Sequence, residues 1–171
     1  MRASCLLAAL LMALAHPGGA ETCELSFTIR VTQGVGAIRP GDEMAGRADF
    51  TTSRSFRQEA GATAHLATGH LTLGDGISGS VWTLITTSRD ISADLVGIYA
   101  RDVTGLSFAG TDFNGPMALT LYGDAGTRPA PVPPLSQSEW DSLSLRRTLT
   151  IHAPDGDMLA GDVTELRADC S

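Results

Sequence analysis

The stretch Cys23–Val31 reads CELSFTIRV, and apolar and polar side chains alternate along it. Successive side chains of a β-strand point to opposite faces of a sheet, so a period of two predicts a strand with one buried and one solvated face. The buried face would carry Leu25, Phe27, Ile29 and Val31. The stretch opens on Cys23, and another cysteine, Cys170, stands one residue before the end of the sequence.

Four roles are open to Cys23: lipid anchor, redox thiol, metal ligand or half of a disulfide. A lipidated cysteine follows a leucine at position −3 and a small residue at position −1, whereas Cys23 follows Ala20 and Thr22 at these positions. A redox thiol is disfavoured because the sequence has no C-x-x-C, and a metal ligand because no histidine or other cysteine is nearby. Of the three cysteines in the sequence, Cys5 lies within a predicted signal peptide, and the two that remain in the exported chain, Cys23 and Cys170, pair by default. We therefore expect a Cys23–Cys170 disulfide, which requires the first and last strands to be neighbours with Cα atoms within about 7 Å.

Export is predicted by the first 20 residues. Arg2 supplies a positive start, residues 6–15 are an apolar run, and Pro17 and small residues follow, as in a secretory signal peptide. Cleavage after Ala20 is favoured, and cleavage after Ala15 also fits. The run is shorter than the roughly 20 apolar residues that span a bilayer, so we expect a protein that is periplasmic or secreted, without a membrane span. Residues 21–171 would form a single domain.

The period of two recurs along the rest of the chain, between turn signals such as Asp155–Gly156. About eight or nine short strands predict an all-β fold, either an antiparallel sandwich or a barrel. One short helix is expected near residues 136–144, because Ser136 and Glu139 form a capping box before Trp140.

The charge balance excludes some partners. Removal of the predicted signal peptide takes away Arg2, so the 12 basic residues fall to 11 against 19 acidic ones, a net charge near −8. All of the basic residues are arginine. An acidic protein without a basic run is a poor match for nucleic acid or for anionic membranes. The lysine-free, Ala- and Gly-rich composition favours a Gram-negative bacterium as the source.

Motifs for catalysis, cofactors and metals are not found in the sequence. His65, His70 and His152 are scattered, and His65 and His70 would face opposite sides of one regular strand. There is no G-x-S-x-G elbow. Paired carboxylates for sugar hydrolysis could come from distant positions, and the acidic residues available for such a pair include Asp49, Glu59, Asp94, Asp102 and Asp112. We predict no catalytic, cofactor-binding or metal residues and no cofactor.

Aromatic side chains are the remaining candidates for ligand contact. The chain has only two tryptophans and two tyrosines, which are Trp82, Tyr99, Tyr122 and Trp140. Most of them are expected to anchor the core, but one or two on a sheet face could stack on a sugar ring.

In its layout the chain resembles small exported β-rich proteins of Gram-negative bacteria. The resemblance rests on a cysteine soon after the signal, a G-x-x-x-F-T strand at Gly46–Thr51 and a second cysteine at the end. It implies an exported β-rich fold and no particular activity.

The function expected from the sequence is a non-catalytic binding or structural module whose partner is a protein, a glycan or a small molecule. Two alternatives stay open. One is a periplasmic hydrolase with dispersed carboxylates, and the other is an inhibitor of an extracellular enzyme. The inhibitor would use a long irregular segment, either Ser55–Gly69 or the proline-rich Thr127–Leu135.

Overall fold

The computed structural model describes residues 20–59, 61–88 and 93–171, so the signal peptide predicted over residues 1–20 lies almost wholly outside the described residues. The described residues form ten strands and one short helix. These elements are β1 (Glu21–Gln33), β2 (Glu43–Glu59), β3 (Ala62–Leu73), β4 (Ile77–Thr87), β5 (Ala93–Thr104), β6 (Ser107–Phe108), β7 (Thr111–Asp112), β8 (Met117–Asp124), α1 (Gln137–Asp141), β9 (Arg146–His152) and β10 (Met158–Cys170).

Eight of these strands close a barrel. Its strand order is β1-β10-β9-β8-β5-β4-β3-β2, and each strand runs antiparallel to both neighbours. β6 and β7 form a small separate hairpin between β5 and β8. The all-β prediction is confirmed, and the choice between sandwich and barrel resolves to the barrel, whose strands, at 7 to 17 residues, are mostly longer than expected.

The predicted disulfide is present. Thr22 and Ser171 exchange both backbone hydrogen bonds at 2.9 Å, so the next pair, Cys23 opposite Cys170, is a non-hydrogen-bonded pair, in which side chains approach most closely. The two Cα atoms are 4.1 Å apart. The bond therefore joins the first and last strands at the seam where the chain closes the barrel.

Side chains fill the barrel interior. On β1 the predicted face is the buried one, and the neighbouring strands add leucine, isoleucine and methionine side chains of which less than 2 % is exposed. Examples are Leu71, Leu84, Ile98, Met117 and Leu119. Gly46 of β2 is required by this packing, since a Cβ there would lie 2.2 Å from the Phe27 ring. The interior is a packed core.

One end of the barrel is covered by residues 125–145, which we call the strap. The strap connects β8 to β9 and contains α1, so it crosses the end where β1 begins and β10 finishes. Trp140 and Leu143 of the strap are fully buried, and the Pro134 carbonyl oxygen lies 3.8 Å from Cys23 Sγ. The capping box is confirmed, because the Ser136 side chain accepts a hydrogen bond from the Glu139 backbone and the Glu139 carboxylate accepts one from the Ser136 backbone.

No helix within the described ranges is long and apolar enough to cross a membrane.

Candidate functional site

The outer wall of the barrel is charged on one side. Outward positions of β1, β2 and β10 carry Glu24, Arg30, Glu43, Arg47, Asp49, Asp162, Glu165, Arg167 and Asp169. Exposed ion pairs link them across strands, among them Arg47 Nη2–Glu24 Oε2 at 2.6 Å and Arg30 Nη2–Glu43 Oε1 at 3.2 Å. Pairs this exposed contribute little to stability, so this side is an ordinary solvated surface.

On the opposite side of the wall, nine outward positions in the middle of three neighbouring strands carry no charge, and among the described residues exposed Arg101 of β5 lies at their edge. We call these nine positions the uncharged face and define it as the outward residues Trp82, Thr83 and Ile85 of β4, Leu95, Gly97 and Tyr99 of β5, and Ala118, Thr120 and Tyr122 of β8. The residues between them, such as Leu84, Ile98 and Leu119, point into the core. Trp82 is exposed and the two tyrosines are half-buried, whereas Thr83, Gly97 and Ala118 are buried beneath their neighbours. Exposed apolar and aromatic patches of this kind can mark interaction surfaces.

Trp82 projects from this face because of a β-bulge. Val81 pairs with Ala100 and Thr83 pairs with Tyr99, so Trp82 is the extra residue, without a partner on β5. It is 40 % exposed. The bulge therefore places the Trp82 indole on the outer side of β4, next to the position at which Thr83 pairs with Tyr99 of β5.

Tyr99 lies along its own strand over Gly97. A Cβ at Gly97 would be 2.6 Å from Tyr99 Cε2 and 2.9 Å from its hydroxyl oxygen, so only glycine leaves room for the ring. Burial raises the pKa of Tyr99, and the nearby Tyr122 hydroxyl raises it further. Tyr122 lies opposite Leu95, so the Tyr99 ring extends along the sheet toward Tyr122.

Hydroxyl groups continue the face onto β9. Thr120 of β8 lies opposite Thr148 of β9, and their Oγ1 atoms are 2.9 Å apart. Each hydroxyl can both donate and accept, and one mutual bond leaves capacity for a further partner.

The structure therefore brings together three of the four aromatic candidates. Trp140 is separate from them, since it belongs to the strap and its ring is fully buried, and its Nε1 has no hydrogen-bond partner among the described residues. The sequence did not indicate the threonines and aliphatic residues of the uncharged face. Their common orientation depends on the bulge at Trp82 and on the strand order, which periodicity alone does not give.

Asp94 holds the start of the strap. Its fully buried carboxylate accepts hydrogen bonds from the backbone nitrogens of Arg128 at 2.6 Å and Gly126 at 3.4 Å, and from the Thr127 hydroxyl at 3.0 Å. Arg128 is only 4 % exposed and donates from Nη2 to the Val132 carbonyl oxygen. Burial lowers the pKa of Arg128, while Glu139 and Asp94 oppose that shift. The proline-rich segment is thus packed down on the barrel.

The next part of the strap rests on β3 and β4. Thr86 Oγ1 donates to the Pro131 carbonyl oxygen at 2.6 Å and lies 3.3 Å from His65 Nε2. Burial lowers the pKa of His65, the Pro131 carbonyl opposes this, and the Arg128 guanidinium lowers it further. His65 is therefore a neutral side chain under the strap at neutral pH.

Two glutamates near the strapped end have pKa values displaced in opposite directions. Burial raises the pKa of Glu21, and Glu139 adds to the rise. Burial alone would raise the pKa of Glu139, but hydrogen bonds from Leu135 and Ser136, together with Arg128, lower it. The Glu139 carboxylate is occupied by the capping box, which gives it a structural role.

The carboxylates that were candidates for a hydrolase are dispersed. Asp49 lies on the charged side beside His70, Glu59 pairs with Arg57 at the end of β2, Asp94 is under the strap, and Asp102 and Asp112 lie near the other end. Two surface depressions of about 390 Å³ are each lined by a single carboxylate, Asp162 in one and Asp112 in the other. These positions give no converging pair of carboxylates.

The histidines are also apart. His65 points inward under the strap, His70 outward toward Asp49 at 3.8 Å, and His152 lies at the far end of β9. The prediction that His65 and His70 face opposite sides of one strand is confirmed. Within the described ranges no three His, Cys, Asp or Glu side chains converge as metal ligands.

Comparisons of the chain with protein-family models, with curated proteins and with solved structures find no match.

Proposed function

We propose that the protein is an exported, non-catalytic binding module that contacts its partner through the uncharged face. The observation that carries this proposal is the division of the barrel wall. A filled interior leaves only the outside for contact, and one side of the outside presents Trp82, Tyr99 and Tyr122 on three neighbouring strands without a charge among them.

Export is supported by the signal-like residues 1–20 and by the Cys23–Cys170 disulfide. Disulfides persist in oxidising compartments and are rare in the cytosol. The periplasm of a Gram-negative bacterium, or the medium, is the compartment that fits both features.

The packing of the chain favours binding over the two alternatives. A hydrolase needs carboxylates that converge on one cleft, and the candidate carboxylates of this barrel are dispersed. An inhibitor loop of the proline-rich kind should project, whereas Pro133, Pro134 and Arg128 are buried against the barrel. The other segment expected to be irregular, Ser55–Gly69, lies mostly within β2 and β3, so that expectation was wrong.

Hydroxyl-radical footprinting read by mass spectrometry tests the proposal, and it does not require the partner to be identified. The oxidation rate of Trp82 is compared between purified protein and intact cells that express it. We expect slower oxidation of Trp82 in cells, because the partner covers the uncharged face there.

Phe108 is the matched control, since it is 49 % exposed and lies on the β6–β7 hairpin at the end of the barrel away from the strap. Its oxidation should be the same in both samples. Equal oxidation of Trp82 in cells and in solution would refute the proposal. So would turnover of chromogenic glycosides or esters by the purified protein.

A further inference from the structure

We infer that the partner of the uncharged face is a neutral glycan, an inference that rests on the proposed function and specifies its ligand class. The face combines three properties that a sugar chain requires together: aromatic rings, free hydroxyl capacity and absence of charge. Each property can be read from particular residues.

Aromatic rings at this face lie at the surface of a stiff sheet. Trp82 stands out from its bulge, and Tyr99 and Tyr122 follow on the next two strands. Tyr99 pairs with Ala118, four residues from Tyr122 on β8, which separates the two backbones by about 13 Å along the strand. The three rings therefore lie on three adjacent strands, with the Tyr99 ring directed toward Tyr122, and the apolar faces of sugars stack on rings of this kind.

Hydroxyl groups lie between the two tyrosines. Thr120 is the outward residue of β8 between Ala118 and Tyr122, and its Oγ1 is 2.9 Å from Thr148 Oγ1. Because each hydroxyl retains an unused donor or acceptor, the pair can bond sugar hydroxyls beside a stacked ring. A purely apolar partner would leave this capacity unused.

The uncharged centre of the face favours a neutral chain. Among the described residues, arginine borders the face at two exposed positions, Arg101 beyond Tyr99 on β5, which pairs with Asp102, and Arg146 opposite Tyr122 on β9. No charged side chain stands between Trp82, Tyr99 and Tyr122, so an anionic unit bound over the centre of the face would reach an arginine only at its edge. Burying such a charge against the face without a partner would be costly.

Affinity electrophoresis tests the inference with the folded, disulfide-bonded protein. Native gels would contain a neutral polysaccharide (a β-glucan, a xylan, a mannan or an α-glucan) or an anionic one (alginate or polygalacturonate). We expect retardation in at least one neutral gel and none in the anionic gels. Trp82→Ala and Tyr122→Ala should each weaken the interaction about tenfold, the loss expected for one aromatic stacking contact.

Two further variants separate ring stacking from folding. Phe108→Ala removes an exposed ring elsewhere and should migrate like the wild type, while Tyr122→Phe keeps the ring and should retain most of the retardation. Equal circular dichroism and Tm of Trp82→Ala and the wild type would show that the variant is folded.

The inference fails if no neutral gel retards the protein, if retardation persists in Trp82→Ala and Tyr122→Ala, or if only anionic gels retard it. It also fails if sedimentation shows a dimer that Trp82→Ala dissolves, since a second copy would then cover the face. If Trp82 is protected in cells but no polysaccharide binds, the glycan inference is wrong and the proposed function stands. No protection and no binding would remove both.

Discussion

At the scale of single residues, the side of the barrel wall to which a side chain points decides its chemistry. His65 and His70 lie on the same strand, yet His65 is half-buried under the strap and His70 is an exposed neighbour of Asp49. The spacing of five predicted the opposite orientations. It could not predict that one of the two faces would be covered by residues 125–145, which lie more than 50 positions away in the sequence.

His65 predicts a dependence of stability on pH. Because its pKa is lowered in the folded protein, the unfolded chain takes up the proton first, near pH 6.5. The stabilisation is therefore complete above that pH and is lost as the pH falls through the folded-state value. His65→Gln should have a shallower decline in unfolding free energy between pH 7 and pH 5, measured by urea denaturation.

His70→Gln is the matched control for that experiment. Its pH profile should follow the wild type, because His70 is exposed. Parallel profiles of His65→Gln and the wild type would contradict the assignment.

Asp94 gives a second prediction at this scale. Asp94→Asn keeps the shape but replaces a carboxylate that accepts three hydrogen bonds from the strap, so the unfolding free energy should fall by about 3 kcal/mol. Asp124→Asn, at an exposed position next to the strap, should change it by no more than about 0.5 kcal/mol. Equal small effects of both variants in guanidinium denaturation would show that Asp94 does not anchor the strap.

At the scale of elements, patterns within a short stretch were predictive. The alternation in β1 and the capping box of α1 depend on neighbours a few residues away, and both are confirmed. Features that depend on pairing with a neighbouring strand were not predicted from the sequence. The unpaired Trp82, and the pairing of β2 with β3 as far as Glu59, depend on registers that a single strand does not encode.

The capping box predicts the contribution of α1 to stability. Ser136→Ala removes the side-chain acceptor for the Glu139 backbone and should lower the unfolding free energy by about 1 kcal/mol. Ser144→Ala, at an exposed position after the helix, should be close to neutral. A Ser136→Ala protein as stable as Ser144→Ala in thermal denaturation would mean that the helix is held by Trp140 alone.

At the scale of the whole molecule, barrel closure creates the two sides of the wall. The charged side exists because β1 and β10, the first and last strands, become neighbours and share it with β2. The cysteines predicted that adjacency, since a disulfide between them requires it. The uncharged face on β4, β5 and β8 could not be foreseen, because β8 pairs with β5 across the β6–β7 hairpin that interrupts the meander.

Removal of the disulfide at that seam should lower the unfolding free energy of the protein. The bond closes a loop with a sequence separation of 147, for which chain entropy gives a stabilisation of up to about 5 kcal/mol. The double variant Cys23→Ala and Cys170→Ala should lose several kcal/mol in urea denaturation, and added reductant should destabilise the wild type but not the variant. A wild type that is insensitive to reductant would show that the bond does not constrain the unfolded chain.

Contact of a partner with the outer wall of the barrel, with the interior left closed, can be tested by one fluorine NMR measurement. The chain has two tryptophans, Trp82 on the uncharged face and Trp140 of the strap, which is buried in the core, so labelling with fluorotryptophan gives one resonance for each environment. On addition of envelope material from cells that express the protein, we predict that the Trp82 resonance shifts or broadens while the Trp140 resonance stays in place. Movement of Trp140 alone, or of neither resonance, would contradict the proposal.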